Sequence, residues 1–441
     1  MYDYEHRDRF YTDGTYKQYA IIIAPEEEGD EPISLTNEDL DEESFEFYDS
    51  IMDKESLSFA NCISAYIQFT TYYTDPLIGR LISVYEVIEN DTENPIPIGL
   101  FTVQSDNVSS DGKTREIIAY DQMFDVINTN VIEWYNTLSF PITQKDLRDN
   151  FFALFGIEQD ASVLINDDIS FPKQINDEDY LTGDVVVKAI CDMNGVFAHI
   201  DKNGILKWIS LDTGSPYQTG LFPSSTTYPG EETYPGYGYT GDLFQIPKSY
   251  HKDSTMVWAN YETLRPDGIQ IRNEYSEIAY QTNPAAENPY TIIGNFLCYG
   301  LSSGQYSAIA ARLLAKLRLI TYVPFRQTKM GDPCLEVGDR VVVYVKDAHE
   351  LLSYVFSKHV KGIQVPFEDI ETLGTLYLAQ YEVGRRSPGK SVTNKIKNLD
   401  NRIGNLESSG TGRIQIVSVA SLPQYPELDV LYLIQGEVEV N

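Results

Sequence analysis

The sequence predicts an α+β protein in which two β-rich regions flank an α/β insert, followed by a short helical stalk and a small β element. Three observations carry this. From about Ser56 to Tyr120, short runs rich in Val, Ile, Tyr and Phe alternate with polar residues and are punctuated by Gly, Asp and Asn. Over 128–211 the apolar spacing becomes that of helices, and after 249 it returns to strands around one strong helical run. Towards the C-terminus, Val392, Ile396, Leu399, Ile403 and Leu406 are spaced 4, 3, 4, 3, a heptad seam.

The first region spans 1–127. Its opening is acidic: residues 1–50 hold 16 acids and 3 bases. A solvated acidic arm is the expected use of that excess, ahead of a cation site. A short apolar strand is expected at Ala20–Ala24, and Pro32-Ile-Ser-Leu-Thr36 reads as a loop. Strands follow at Ala65–Tyr73, Leu81–Ile88, Ile96–Val103 and Arg115–Tyr120, a pattern that fits an antiparallel barrel or sandwich. Pro97 and Gly99 place the third of these at an edge or a bulge. A short helix is expected at Asp121–Ile127.

The insert spans 128–211. Thr143 three residues before Asp146 is a helix-capping signal; Leu147, Phe151, Leu154 and Phe155 then share a face, and Gly156 ends the helix. A second helix, Asp184–Met193, stops at Asn194-Gly195. Val196–Ile200 and Ile205–Ile209 flank Asp201-Lys-Asn-Gly204, a β-hairpin turn; a calcium loop would need a third oxygen ligand, a following Gly and a distal Glu that are missing.

Residues 212–248 are rich in Tyr, Gly and Pro, and Thr227-Tyr-Pro-Gly230 recurs as Thr233-Tyr-Pro-Gly236. Tyr228, Tyr234, Tyr237 and Tyr239 are candidates for a partner-contact loop, more readily against a neighbouring subunit than as a sugar-binding tip. The second β-rich region, 249–385, has expected strands at Thr255–Tyr261, Ile269–Tyr275, Tyr290–Leu297, Val341–Val345, Leu352–Val360 and Gly374–Val383. Its helix, Tyr306–Ile320, has the best apolar face in the chain. A hinge and coiled-coil stalk occupy 386–408, and a small β element, built on Ile414–Val419 and Val430–Val440, occupies 409–441.

Composition narrows the function. Lys and Arg total 33 against 66 Asp and Glu, a formal charge of −33, which argues against a basic face for nucleic acid or anionic membrane. No secretory pattern opens the chain, and no apolar run approaches the ~20 residues of a membrane span. Cys62, Cys191, Cys298 and Cys334 are far apart in apolar contexts and are expected to be buried reduced thiols. The five histidines form no metal-ligand spacing. Acids are too common for any carboxylate pair to stand out as a glycosidase couple. We therefore name no catalytic residue, no metal ligand and no cofactor.

One motif competes with the stalk. Gly384-x-x-x-x-Gly389-Lys390-Ser391 matches the phosphate-binding loop pattern. That loop belongs to a parallel sheet built by further βα units, with an aspartate ending a later strand. Only two short strands follow here, and Pro388 removes a backbone N–H where the loop needs one. Arg385, Arg386 and Lys390 read better as a positive collar at the neck of the stalk.

The chain resembles the hub, or tail-tip, proteins of bacteriophages and prophages of Gram-positive hosts, including the structural N-terminal part of tail-associated lysins. The residues that carry the resemblance are Ile96-Pro-Ile-Gly-Leu-Phe-Thr-Val103 followed by Ile117-Ile-Ala-Tyr-Asp-Gln-Met123, the Gly195–Leu211 hairpin, Asn288-Pro-Tyr-Thr-Ile292, Met330-Gly-Asp-Pro-Cys-Leu-Glu-Val-Gly-Asp339, and Val360-Lys-Gly-Ile-Gln364. Their order along about 35–385 is more specific than any one of them.

The resemblance implies two antiparallel β-barrel-like hub domains around the α/β insert, and a homotrimeric ring that adapts a sixfold tail to a threefold tip. The implied partners are the chain itself, a distal tail or baseplate ring protein, and a fibre, spike or tape-measure protein. The implied place is the virion, after assembly in the bacterial cytoplasm. The seam alone, with Ile and Leu at its core positions, favours a dimer, whereas the ring's symmetry asks for a trimer. A tail-tip adhesin is the alternative function. A cell-wall hydrolase is disfavoured, since only about 55 residues follow the hub-like region.

Overall fold

A computed structural model describes residues 16–211 and 265–372, interrupted at 27–28, 30, 53–56, 111, 176–179, 274–276, 346–348 and 364–366. It also describes the strands Leu243–Gln245, Val257–Trp258, Gln415–Val419 and Val430–Ile434. The chain divides into two compact units, Met1–Leu378 and Ala379–Asn441.

In the first unit the acidic stretch folds from Lys17 onward, where a solvated arm was the expectation. It forms β1 (Lys17–Ile23), β2 (Ile33–Thr36, expected as a loop) and β3 (Glu46–Ser50). Tyr19, Ile21, Ile23, Leu35, Phe45 and Phe47 face inward. Many of the acids sit in turns between these strands, as at Glu38, Asp39 and Asp41–Glu43, so counting charge hid a strand pattern of period two.

The strands β4 (Tyr66–Thr71), β5 (Leu81–Ile88), β6 (Ile96–Val108) and β7 (Arg115–Tyr120) follow as expected. β6 carries the expected bulge but is no edge, because it lies between β5 and β7. Val84 pairs with Gly99 and Tyr85 with Pro97, leaving Ile98 as the extra residue; a second shift leaves Gln104 unpaired. Bulges of this kind bend a strand and increase its twist, which favours a curled sheet.

The insert contains helices α1 (Met123–Asn128), α2 (Ile132–Thr137), α3 (Gln144–Leu154) and α4 (Gly183–Asn194), the short strands β8 (Ile142–Thr143) and β9 (Ser170–Phe171), and the hairpin β10 (Phe197–Ile200) with β11 (Leu206–Ile209). Thr143 caps α3 by accepting a hydrogen bond from the Asp146 N–H at 3.1 Å, and Gly195 ends α4 in the left-handed conformation, φ 58°.

Beyond it come β12 (Leu243–Gln245), β13 (Val257–Trp258), β14 (Gly268–Arg272), β15 (Ile278–Gln281) and β16 (Pro289–Ile293). Helix α5 (Ser303–Leu317) starts with a Ser302–Gln305 capping box and buries Ile309, Ala310, Leu313 and Leu317. Then follow β17 (Phe325–Met330), β18 (Arg340–Val345), β19 (His349–Tyr354), β20 (Ser357–Lys361) and β21 (Phe367–Thr372). The single strand expected at Leu352–Val360 is thus two strands, β19 and β20, which belong to different sheets.

The dominant feature is one curled, half-barrel antiparallel sheet of eleven strands, in the order β13-β17-β21-β20-β3-β4-β7-β6-β5-β1-β2. The two β-rich regions meet inside it, where β20 pairs with β3. One apolar cluster lies along β1–β7 and includes Ile67, Phe69, Ile82, Val84 and Phe101. A larger one joins α3, α4, α5 and the β10–β11 hairpin. In the second unit, β22 (Gln415–Val419) and β23 (Val430–Ile434) pair in parallel.

Candidate functional site

Strand alternation explains how the charged residues of this molecule come to be inside it. In β5, Ile82, Val84 and Glu86 take successive inward positions; in β3, Phe47 and Asp49 do; in β17, Phe325, Gln327 and Lys329 do. The same holds for Lys358 and Val360 in β20, for Glu368, Ile370 and Thr372 in β21, and for Ile117, Ala119 and Asp121 along and just past β7.

Cross-strand register then brings these charges together. Lys329 stands directly opposite Glu368, and Lys358 directly opposite Asp49. Lys329 Nζ is in contact with Glu368 Oε1, with both side chains fully buried, and Lys358 Nζ is 3.4 Å from Glu368 Oε2. Lys358 also donates to the carbonyls of Asp332 and Leu335, at 2.5 and 2.7 Å. Burial alone would favour its neutral form, but Glu368 and Asp332 outweigh that and hold Lys358 above the ordinary lysine range. The Asp332 N–H donates to Glu368 Oε2 at 3.0 Å, tying the 331–336 loop to the same carboxylate.

The hairpin closes this face of the sheet. All four residues of β10 are buried. At its tip the Asp201 carboxylate accepts from the N–H groups of Asn203 and Ile205, both at 2.9 Å, so this aspartate builds the turn. Gly204, φ 80°, sits against Leu100 of β6. Lys202 lies 3.8 Å from Glu336, and His199 Nε2 lies 3.6 Å from Asp49 Oδ2.

Between sheet, hairpin and loop is a small pocket with a cavity volume of ≈ 40 Å³. Burial pushes the Asp49 and Glu86 carboxyls up to about 7. Asp121 rises to about 6, also by burial, although Ser64 Oγ and the N–H groups of Ala65 and Met123 donate to it. His199 is held below the ordinary imidazole range by burial. Asp192, outside the pocket, accepts from Tyr290 Oη at 2.6 Å, and Tyr290 in turn accepts from the Phe59 N–H at 3.1 Å.

Its structural neighbours are tail proteins. The tail protein from Neisseria meningitidis MC58 is similar at TM-score 0.45 and 13% identity, over 81% of this chain and 97% of that one. The 43 kDa tail protein of prophage MuSo2 from Shewanella oneidensis is similar at 0.45 and 11%, over 81% and 97%. Prophage tail protein gp18 from Listeria monocytogenes EGD-e is similar at 0.45 and 12%, over 82% and 97%. No family profile matches the sequence, and no curated protein matches it.

The seam of Val392, Ile396, Leu399, Ile403 and Leu406, the tyrosines Tyr228, Tyr234, Tyr237 and Tyr239, and the Gly384–Ser391 motif all fall outside the described residues. Cys191 and Cys298 are free and buried, and burial pushes both thiols up, away from the reactive thiolate. Among the described residues no helix is long and apolar enough to cross a membrane.

Sequence reasoning missed Asp49, Glu86, Lys329, Lys358 and Glu368. A signal for them exists: each is a charged residue at an inward position of a strand alternation that also holds an apolar residue such as Phe47, Val84, Phe325, Val360 or Ile370.

Proposed function

We propose that this chain is a structural hub protein of a phage tail or phage-tail-like particle. It assembles as a homotrimeric ring that adapts a sixfold tail to a threefold tip, docks on a distal tail or baseplate ring, and carries a fibre or spike. Val392, Ile396, Leu399, Ile403 and Leu406 form the threefold seam of the stalk, held together because the ring first gathers the three chains. Tyr228, Tyr234, Tyr237 and Tyr239 contact a neighbouring subunit. The reading assigns the chain no catalytic step and no cofactor.

The observation that carries it is a convergence. The segments on which the resemblance to hub proteins rests are scattered over more than two hundred residues, yet five of the six line one pocket. They contribute Ile98–Phe101, Asp121, His199–Lys202, Gly331–Pro333, Leu335, Glu336 and Val360. The remaining segment supplies Tyr290, which fastens α4 through Asp192. Residues shared for a common architecture are expected to collect where that architecture is held together.

The test is to raise an antibody to the chain and image labelled particles by electron microscopy. Label at the tail tip supports the reading; label along the tail tube, on the capsid or nowhere on the particle overturns it.

A further inference from the structure

The pocket between the curled sheet and the hairpin is built for a ligand that the described residues do not supply. Asp49 and Glu86 both line it, and both are at least nine-tenths buried. Asp49 Oδ1 has no hydrogen-bond partner among the described residues. Neither basic side chain beside it, Lys358 or His199, bonds to that oxygen. Lys358 directs its N–H groups at Glu368 and the Asp332 and Leu335 carbonyls, and His199 stands 3.6 Å away, beyond hydrogen-bonding distance. Glu86 lines the same pocket, where burial, Asp332 and Glu368 oppose its ionised form and Lys17 and Lys358 favour it. A buried carboxylate left in this state is costly unless it is protonated or gains a partner.

The rest of the lining mixes aliphatic, charged and aromatic side chains, Lys202, Lys358 and His199 among them. Tyr19, Phe45, Phe47 and Phe101 line the same pocket. Tyr19 stacks on Phe45 with ring centroids 4.3 Å apart, and Phe47 meets Phe101 edge-on at 6.1 Å. Aromatic faces attract cations through their ring quadrupoles, most strongly where water is excluded. Buried carboxylates and aromatic rings lining one pocket can together receive an organic cation. A metal ion fits less well, since among the described residues no group of three His, Cys, Asp or Glu is placed to hold one.

We propose that the Asp49–Glu86 pocket binds a cationic nitrogen group, an ammonium or a guanidinium, seated between the two carboxylates and the Tyr19–Phe45–Phe47–Phe101 wall. That chemistry has two sources: arginines of this chain's own 1–15 segment, Arg7 and Arg9, or a basic side chain of another molecule in the assembly.

The probe is methylguanidinium at millimolar concentration, with methylurea as its uncharged counterpart, read by calorimetry and thermal shift on the full chain. Methylguanidinium is expected to bind and raise Tm, and methylurea is not. The isosteric pair Asp49→Asn/Glu86→Gln is expected to lose at least tenfold in affinity, with the single variants between. Arg7→Gln/Arg9→Gln separates the sources. Tighter binding of the probe in that variant means the chain's own arginines occupy the pocket, and unchanged binding means the natural cation comes from another molecule. The proposal is overturned if methylguanidinium and methylurea behave alike in both the intact chain and the arginine variant. Equal affinity in the carboxylate variants also overturns it.

Discussion

Lys358 of β20 stands opposite Asp49 of β3, and that pairing is where the two β-rich regions become one sheet. Both side chains are buried, and since Lys358 turns its ammonium to Glu368 and to the Asp332 and Leu335 carbonyls, the joint itself is closed by backbone hydrogen bonds. Glu368 draws Lys358 and Lys329 together beside it.

Lys329→Met tests that network. It leaves Glu368 without its direct cross-strand partner at a position where neither side chain meets water. Removing one member of a buried ion pair costs about 3–5 kcal/mol. We expect a loss of that order in urea unfolding. A double variant, Lys329→Met/Glu368→Gln, should recover part of it, because the uncompensated charge on Glu368 is gone while Lys358 keeps the Asp332 and Leu335 carbonyls. Additive losses would show that the two residues are not coupled.

The raised carboxyls give a pH dependence with a definite sign. Unfolded, Asp49, Glu86 and Asp121 titrate near ~4; folded, near 7, 7 and 6. In that window the folded state binds more protons, so these groups lower stability as pH rises from about 4 to 7. His199, held low by burial, acts oppositely and loses stability as pH falls through its unfolded value near ~6.5. Three carboxyls outweigh one imidazole. Asp49→Asn is therefore expected to exceed the parent by about 4 kcal/mol at about pH 8, with the gain vanishing towards about pH 4. A gain independent of pH would contradict the assignment.

Gly183→Ala should damage the insert. A Cβ there would run into the Val126 carbonyl oxygen of α1, so glycine is what lets α4 approach α1. We expect a loss of about 2–3 kcal/mol, as for other forced overpacking, seen as a lower urea midpoint at unchanged slope.

The fold was most legible where its determinants are local. The Thr143 cap, the Gly195 stop and the Asp201–Gly204 turn each depend on neighbours a few residues away, and each formed as the sequence implies. β3 was missed because Glu46 and Asp49 made it look like part of an acidic arm, although Phe47 and Asp49 keep strand alternation. The break between β19 and β20 was invisible because it depends on distant partners: β18 for one, β3 and β21 for the other.

The site followed the same rule. That Lys329 shares a face with Phe325 can be read from the alternation alone. That its counterion is Glu368, and that Lys358 meets Asp49, depends on register between strands far apart in sequence.

The most direct test of the hub account is the mass of the intact chain in solution, measured by native mass spectrometry at micromolar concentration. The account predicts three chains per particle, and a monomer or a dimer would contradict it.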